Sequence, residues 1–141
     1  MAEKESIEIV LEAFDALEHR DDPRLLRLYH PEVEFHWPAS LPYGGSFHGL
    51  DEVQERRVRG WDAVWDPYQP TAQERRMDPR IVAATESEVV VSWHQRGVKS
   101  SGKRIDMETL GLYVVRDAKF ARAQMFYFDT AALLRFLGSG E

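Results

Sequence analysis

Val89-Val90-Val91-Ser92-Trp93-His94, Leu110-Gly111-Leu112-Tyr113-Val114-Val115 and Ala123-Gln124-Met125-Phe126-Tyr127-Phe128 are three apolar, β-rich segments within one run from Glu88 to Phe128. Ser100-Ser101-Gly102-Lys103 reads as the hairpin turn between the first two. These segments are too apolar for a sheet with one wet face. A sheet built from them needs cover on both sides, and what covers it decides whether a ligand pocket exists.

Working outward from that run, residues 5–19 carry Ile7, Val10, Leu11, Phe14 and Leu17 at helical spacing. Asp21-Asp22-Pro23 starts a second, short helix with Leu25, Leu26, Leu28 and Tyr29 facing inward, closed by Pro31. Val33-Glu34-Phe35-His36-Trp37 alternates as a strand does, and Pro38 ends it. Residues 39–49 read as a loop, with Gly44-Gly45 as a flexible flap over a pocket mouth. A third helix spans about residues 50–65, with Val53, Arg57, Trp61, Val64 and Trp65 on one stripe. Its cluster Arg56-Arg57-Arg59, among Glu52, Glu55 and Asp62, reads as a solvated face. Weaker strands are expected at 71–77 and 80–85. Asp129-Thr130 caps a last helix, Ala131 to Leu137, and a tail follows from Gly138. Helices segregated against an antiparallel sheet make an α+β fold, and 141 residues suit a single domain, 1–141.

The net charge of −6 argues against a phosphate-binding surface, so no nucleic-acid partner is expected. With no cysteine there is no disulfide, thiolate metal site or thiol nucleophile. No apolar run approaches the ~20 residues that span a bilayer, and the charged start Met1-Ala2-Glu3-Lys4-Glu5 lacks the apolar core of a signal peptide. The expectation is a cytoplasmic protein without a membrane partner.

Three stretches carry a family likeness: Leu41-Pro42-Tyr43-Gly44-Gly45-Ser46-Phe47-His48-Gly49, the Tyr113-to-Lys119 hairpin, and Phe128-Asp129-Thr130-Ala131-Ala132-Leu133-Leu134. With the element order, the chain resembles the SnoaL-like group of the nuclear transport factor 2-like superfamily, which includes polyketide cyclases, ketosteroid isomerases and limonene epoxide hydrolases. The resemblance implies a curved antiparallel sheet wrapped round three N-terminal helices, a cone-shaped barrel with a central apolar pocket, and a short C-terminal helix. It also implies a homodimer through the outer sheet face. Known catalytic sets of the family do not carry over. The isomerase tyrosine falls at Phe14, its aspartate at about His36 or Trp37 and its second acid near Gly111, while the epoxide hydrolase residues fall at Ser92, His94 and Phe126.

The family registers put His94, Tyr113, Gln124 and Phe126 toward the cone, and Trp93, Leu110, Leu112, Val114 and Met125 outside. Alternation alone leaves the phase open: the other phase buries Trp93 and exposes His94. On the first phase His94 is the candidate general acid or base, and His36 the second catalytic candidate. Gln124 and Tyr43 are placed to orient a carbonyl or hydroxyl. Tyr29, Tyr43, Trp61, Trp65, Tyr113, Phe126 and Phe128 form an aromatic set suited to a flat, partly apolar ligand. No compact metal-ligand spacing appears, so neither a metal nor another cofactor is expected.

Three functions fit. The first is a cofactor-independent enzyme moving protons on a small, partly apolar ring compound, by isomerisation, cyclisation or dehydration. The second is a non-catalytic binding module of the same shape. The third is a dimeric interaction domain whose own rings fill the pocket.

Overall fold

A computed structural model describes residues 2–138; the expected tail lies, from residue 139 on, outside the described residues. The chain folds as α1 (Glu3–Glu18), α2 (Asp22–Leu28), β1 (Tyr29–Trp37), β2 (Gly45–His48), α3 (Leu50–Arg56), a π-helical stretch (Arg57–Asp62), α4 (Ala63–Trp65), a 3-10 turn (Asp66–Tyr68), α5 (Ala72–Arg75), β3 (Arg80–Ala84), β4 (Glu88–Val98), β5 (Arg104–Arg116), β6 (Lys119–Tyr127) and α6 (Thr130–Gly138). The architecture is the expected α+β one. Six strands form one open sheet in the order β2-β1-β6-β5-β4-β3. Every pair is antiparallel except β1 with β6, which is parallel. The sheet is therefore mixed, and it does not close.

Several local readings change. The second helix ends at Leu28 with Leu26 exposed, and Tyr29 opens β1. Residues 71–77 form no strand. Thr71 and Glu74 make a reciprocal capping box: the Thr71 hydroxyl accepts from Gln73 N, and Glu74 Oε1 accepts from Thr71 N at 2.9 Å. Gly44-Gly45 is no flap. Gly44 N donates to Leu41 O at 2.8 Å, a Cβ at Gly44 would strike the Pro38 carbonyl, and Gly45 starts β2 against Trp37. Tyr43, carried by this tight turn, is buried.

The helical layer and the concave side of the sheet share one core. Val10, Ala13 and Phe14 of α1, Leu25 of α2, Val53 of α3, and Trp61 and Trp65 beyond it pack against inward residues of the strands. In β4 those are Val89, Val91, Trp93, Gln95 and Gly97. In β5 they are Met107, Thr109, Gly111, Tyr113 and Val115. In β6 they are Phe120, Ala123, Met125 and Tyr127. The odd-numbered phase of β4 therefore faces in. An indole gains far more than an imidazole from leaving water, and a one-residue change of phase carries every side chain of the strand with it. No helix among the described residues is long and apolar enough to cross a membrane.

Candidate functional site

The hollow between helices and sheet is walled by aromatic and apolar side chains, chief among them Phe14, Phe35, Trp37, Trp61, Trp93 and Tyr113. Its free volume is about 40 Å3, room for a few water molecules. The edge-to-face contacts Phe14–Tyr113 at 5.5 Å and Phe35–Trp37 at 5.2 Å show how closely the rings fill it.

One end of this hollow is polar. Arg57 and Tyr29 line it, and Asp62 stands one hydrogen bond behind Arg57. The π-helical stretch makes this pairing possible. In an α-helix of 3.6 residues per turn, position i+5 lies about 140° round from position i. A π turn bonds i to i+5, so Arg57, Trp61 and Asp62 all turn inward and are all buried. Arg57 donates from Nη1 to Asp62 Oδ2 at 2.7 Å, and from Nη2 to Asp22 Oδ1 at 2.7 Å and Gln54 Oε1 at 3.0 Å. Its Nε has no partner among the described residues. The same holds for Tyr29 Oη, Asp62 Oδ1 and Trp93 Nε1.

Burial sets the proton affinities here. It pushes Asp62 up from 3.8 to about 6, although the Arg57 charge pulls the other way. It pushes Tyr29 and Tyr113 well above the usual phenol value, against the opposing pull of Arg57 and Trp93 respectively. A second buried layer is fully bonded. Trp61 Nε1 donates to Gln95 Oε1 at 3.0 Å, Tyr43 Oη donates to Tyr127 Oη at 3.0 Å, and Trp65 Nε1 donates to Tyr43 Oη at 3.1 Å.

The expected site residues divide accordingly. Tyr29, Trp61 and Tyr113 line the hollow. Tyr43 and Trp65 are buried but lie outside the lining; Tyr43 belongs to the bonded layer, and Trp65 stacks on Phe136 at 6.1 Å. His94, Gln124, Phe126 and His36 do not face the hollow. They lie on the outer face with Leu110 and Leu112, because Leu110 pairs with Phe126, Leu112 with Gln124, and His36 with Gln124. His94 Nδ1 bonds Asp106 Oδ1 at 2.7 Å; His36 bonds Ser46 Oγ at 2.8 Å and Glu34 Oε1 at 3.1 Å. The two imidazoles are placed by carboxylates on the wrong side of the sheet for chemistry in the hollow. Trp93 and Met125, expected outside, line it instead. Arg57, expected on a solvated face, lines its polar end instead, and Asp62, from the same expected face, is buried behind it. The signal for Arg57 was its place on the apolar stripe; Asp62 is reached only through the π turn, which spacing does not announce. No group of three or more His, Cys, Asp or Glu among the described residues is placed to hold a metal.

The model of the SnoaL-like domain matches residues 10–123. The chain belongs to the SnoaL-like family. No curated protein sequence matches it. Solved structures with the same fold include an NTF2-like protein of Burkholderia xenovorans LB400, with TM-score 0.73 and 21% identity over 96% of this chain and 97% of that one. TerC, crystallised with polyporic acid, gives TM-score 0.76 and 21% identity over 94% and 98%. A Jannaschia sp. CCS1 protein, named for its likeness to the SnoaL-like polyketide cyclases, gives 0.72 and 18% over 99% and 96%. At these identities the likeness speaks for the SnoaL-like fold alone.

Proposed function

We propose that this SnoaL-like chain binds a small, neutral, partly apolar carbonyl compound in its hollow and moves a proton on it without a cofactor, with Asp62 as the proton acceptor and donor. The reading rests on the unpartnered polar atoms at one end of an apolar hollow. Folded proteins leave few buried polar groups unbonded, and each costs about 1–3 kcal/mol. At that end Arg57 Nε and Tyr29 Oη offer protons and Asp62 Oδ1 accepts one; Trp93 Nε1, beside Tyr113, offers another elsewhere in the lining. That set fits a carbonyl oxygen on which negative charge grows while a proton leaves the carbon next to the carbonyl carbon. The C–H pair becomes the enolate, the proton passes to Asp62 through one cavity water, and its return to another carbon, or to a departing hydroxyl, completes isomerisation or dehydration. Arg57 already faces two carboxylates, so an anionic ligand is disfavoured.

Solvent-deuterium exchange into cyclopentanone, followed by NMR, tests this. Asp62 acts as base only when ionised, so the rate is expected to rise with pH through about 6 and level above it. Asp62→Asn is expected to lower it by about a hundredfold or more, with folding retained. Binding of the ketone without protein-dependent exchange leaves the binding-module reading in place of the enzyme.

A specific feature favours a homodimer as well. Leu110 and Phe126 form an exposed cross-strand pair on the outer face, continued by Phe128, which is 87% exposed. Such a row, flanked by Glu108 and Arg122, suits a second copy of this chain. Sedimentation is expected to give twice the 16.3 kDa chain mass, and Phe126→Asp to give the monomer. A wild-type monomer at tens of micromolar would remove this partner.

A further inference from the structure

A short strap forms part of the wall of the hollow. Between α5 and β3 the chain runs through Arg76, Met77, Asp78 and Pro79 without helix or strand. Met77 is buried and lines the apolar hollow. Its two neighbours, Arg76 and Asp78, line an open polar groove of about 510 Å3 on the other side, together with Arg96, Arg104 and Asp106. One strap thus separates an inner space that is almost full from an outer one with room to spare. Leu17 is the one residue of the hollow's lining that is not buried. The solvent side of the hollow therefore lies at the seam between the end of α1 and this strap.

The strap is held by one backbone bond to β4 and otherwise by side chains. Glu18 Oε2 accepts from Met77 N at 3.0 Å, and Met77 O accepts from His94 N at 2.8 Å. Arg96 donates to Arg76 O at 2.8 Å and to Asp78 Oδ2 at 2.7 Å, and is itself held by Asp106 at 3.1 Å. Asp78 has φ 46°, a left-handed conformation rare for residues with a side chain. Glu18 is the last residue of α1, where the helix dipole disfavours a carboxylate. What that position gains is the bond to the strap.

We propose that residues 76–79 are the door of the hollow and that Met77 is its specificity-determining side chain: the ligand takes the room Met77 occupies, and the strap swings into the outer groove to admit it. This rests on reading the hollow as a ligand site. It reconciles a volume of about 40 Å3 with any ring-sized occupant. A thioether is suited to the task, being flexible and easily repacked.

Two variants test it. Glu18→Ala removes a latch outside the binding machinery; amide exchange at Met77 and His94 is expected to rise about tenfold or more, with the β5–β6 amides unchanged. Met77→Ala is expected to tighten 2-indanone binding by about tenfold, with cyclopentanone changed by less than about threefold. The indoles of Trp37, Trp61 and Trp93 in the lining report both ligands by fluorescence. Equal changes for the two ketones, with wild type binding cyclopentanone, overturn the role of Met77 and leave the ligand site standing. Strap amides unmoved in Glu18→Ala overturn the door. Failure of both proteins to bind either ketone overturns the ligand site, and the specificity role with it.

Discussion

Arg57→Met is expected to destabilise the protein by about 3–5 kcal/mol at pH 7.5, because it leaves Asp62 buried without its counter-charge. Arg57 has no exposed surface, and its Nη1 donates to Asp62 Oδ2 at 2.7 Å. Replacing both members, Arg57→Met with Asp62→Leu, is expected to recover most of that loss, or to exceed wild type by about 1–4 kcal/mol, since apolar packing avoids the desolvation that the pair incurs. The effect depends on pH with a definite sign. Asp62 holds its proton more tightly when folded, at about 6, than at its ordinary 3.8. The folded state therefore binds more protons between those values, and wild-type stability from this group falls as pH climbs from 3.8 to about 6. Without Arg57 the proton affinity rises further, so the variant continues to lose stability above pH 6. The gap between wild type and Arg57→Met is thus smaller at pH 5 than at pH 7.5, where Asp62 must hold its charge alone. Urea melts at the two pH values decide the matter. A cost under about 1 kcal/mol, equal at both, would mean that Asp62 is not carried as a buried charge. A double variant that is as stable as wild type but exchanges no deuterium into cyclopentanone would show that the pair is kept for the ligand rather than for the fold.

The order of elements was legible because the strongest periodicities in the chain belong to its longest elements. Ile7, Val10 and Phe14 mark α1, and the Val89–Val91 and Leu110–Val115 runs mark β4 and β5. The phase of the sheet was not legible from alternation, since Trp93 and His94 are equally consistent with either face. Yet the pairing itself carries the answer. His94 lies opposite Glu108 and Leu110 opposite Phe126, and cross-strand partners share a face. Placing Leu110 outside and Phe126 inside was therefore inconsistent with any register that pairs them. The odd phase removes the conflict, and it takes His94 out of the hollow. The polar end was harder to see. Arg57 on an apolar stripe is a legible oddity, because a buried guanidinium needs a buried or half-buried acid. Which acid it finds depends on a π turn that brings residue 62 to the face of residue 57, and no spacing rule for α-helices predicts that. The capping box at Thr71 and Glu74 was written in the sequence as Thr-x-x-Glu, but an apolar run to follow it was missing, so the segment read as a strand.

Trp65→Ala is expected to cost about 3–5 kcal/mol, and to release the C-terminal helix before the sheet. Trp65 has no exposed surface and joins three parts of the chain. Its ring stacks on Phe136 of α6 at 6.1 Å and an interplanar angle of 13°. Its Nε1 donates to the Tyr43 hydroxyl at 3.1 Å. Its edge lies over Gly97 of β4, where an added Cβ would come within 3.1 Å of Cζ3. Truncation therefore opens a void under α6, removes a donor from the bonded layer and leaves Phe136 with Tyr68, at 5.3 Å, as its remaining ring partner. Amide exchange is expected to rise first in α6, and urea melts to shift with it. Trp65→Phe keeps the stack and loses only the hydrogen bond, for which about 1 kcal/mol is expected. The pair of variants also separates structure from ligand contact. Trp65 does not line the hollow, whereas Tyr29 does. Cyclopentanone binding should therefore survive Trp65→Phe and weaken in Tyr29→Phe. If Trp65→Phe abolished binding while the melt stayed in place, the hollow would extend past the Tyr43 layer, and the polar end at Arg57 would not be where the ligand is held.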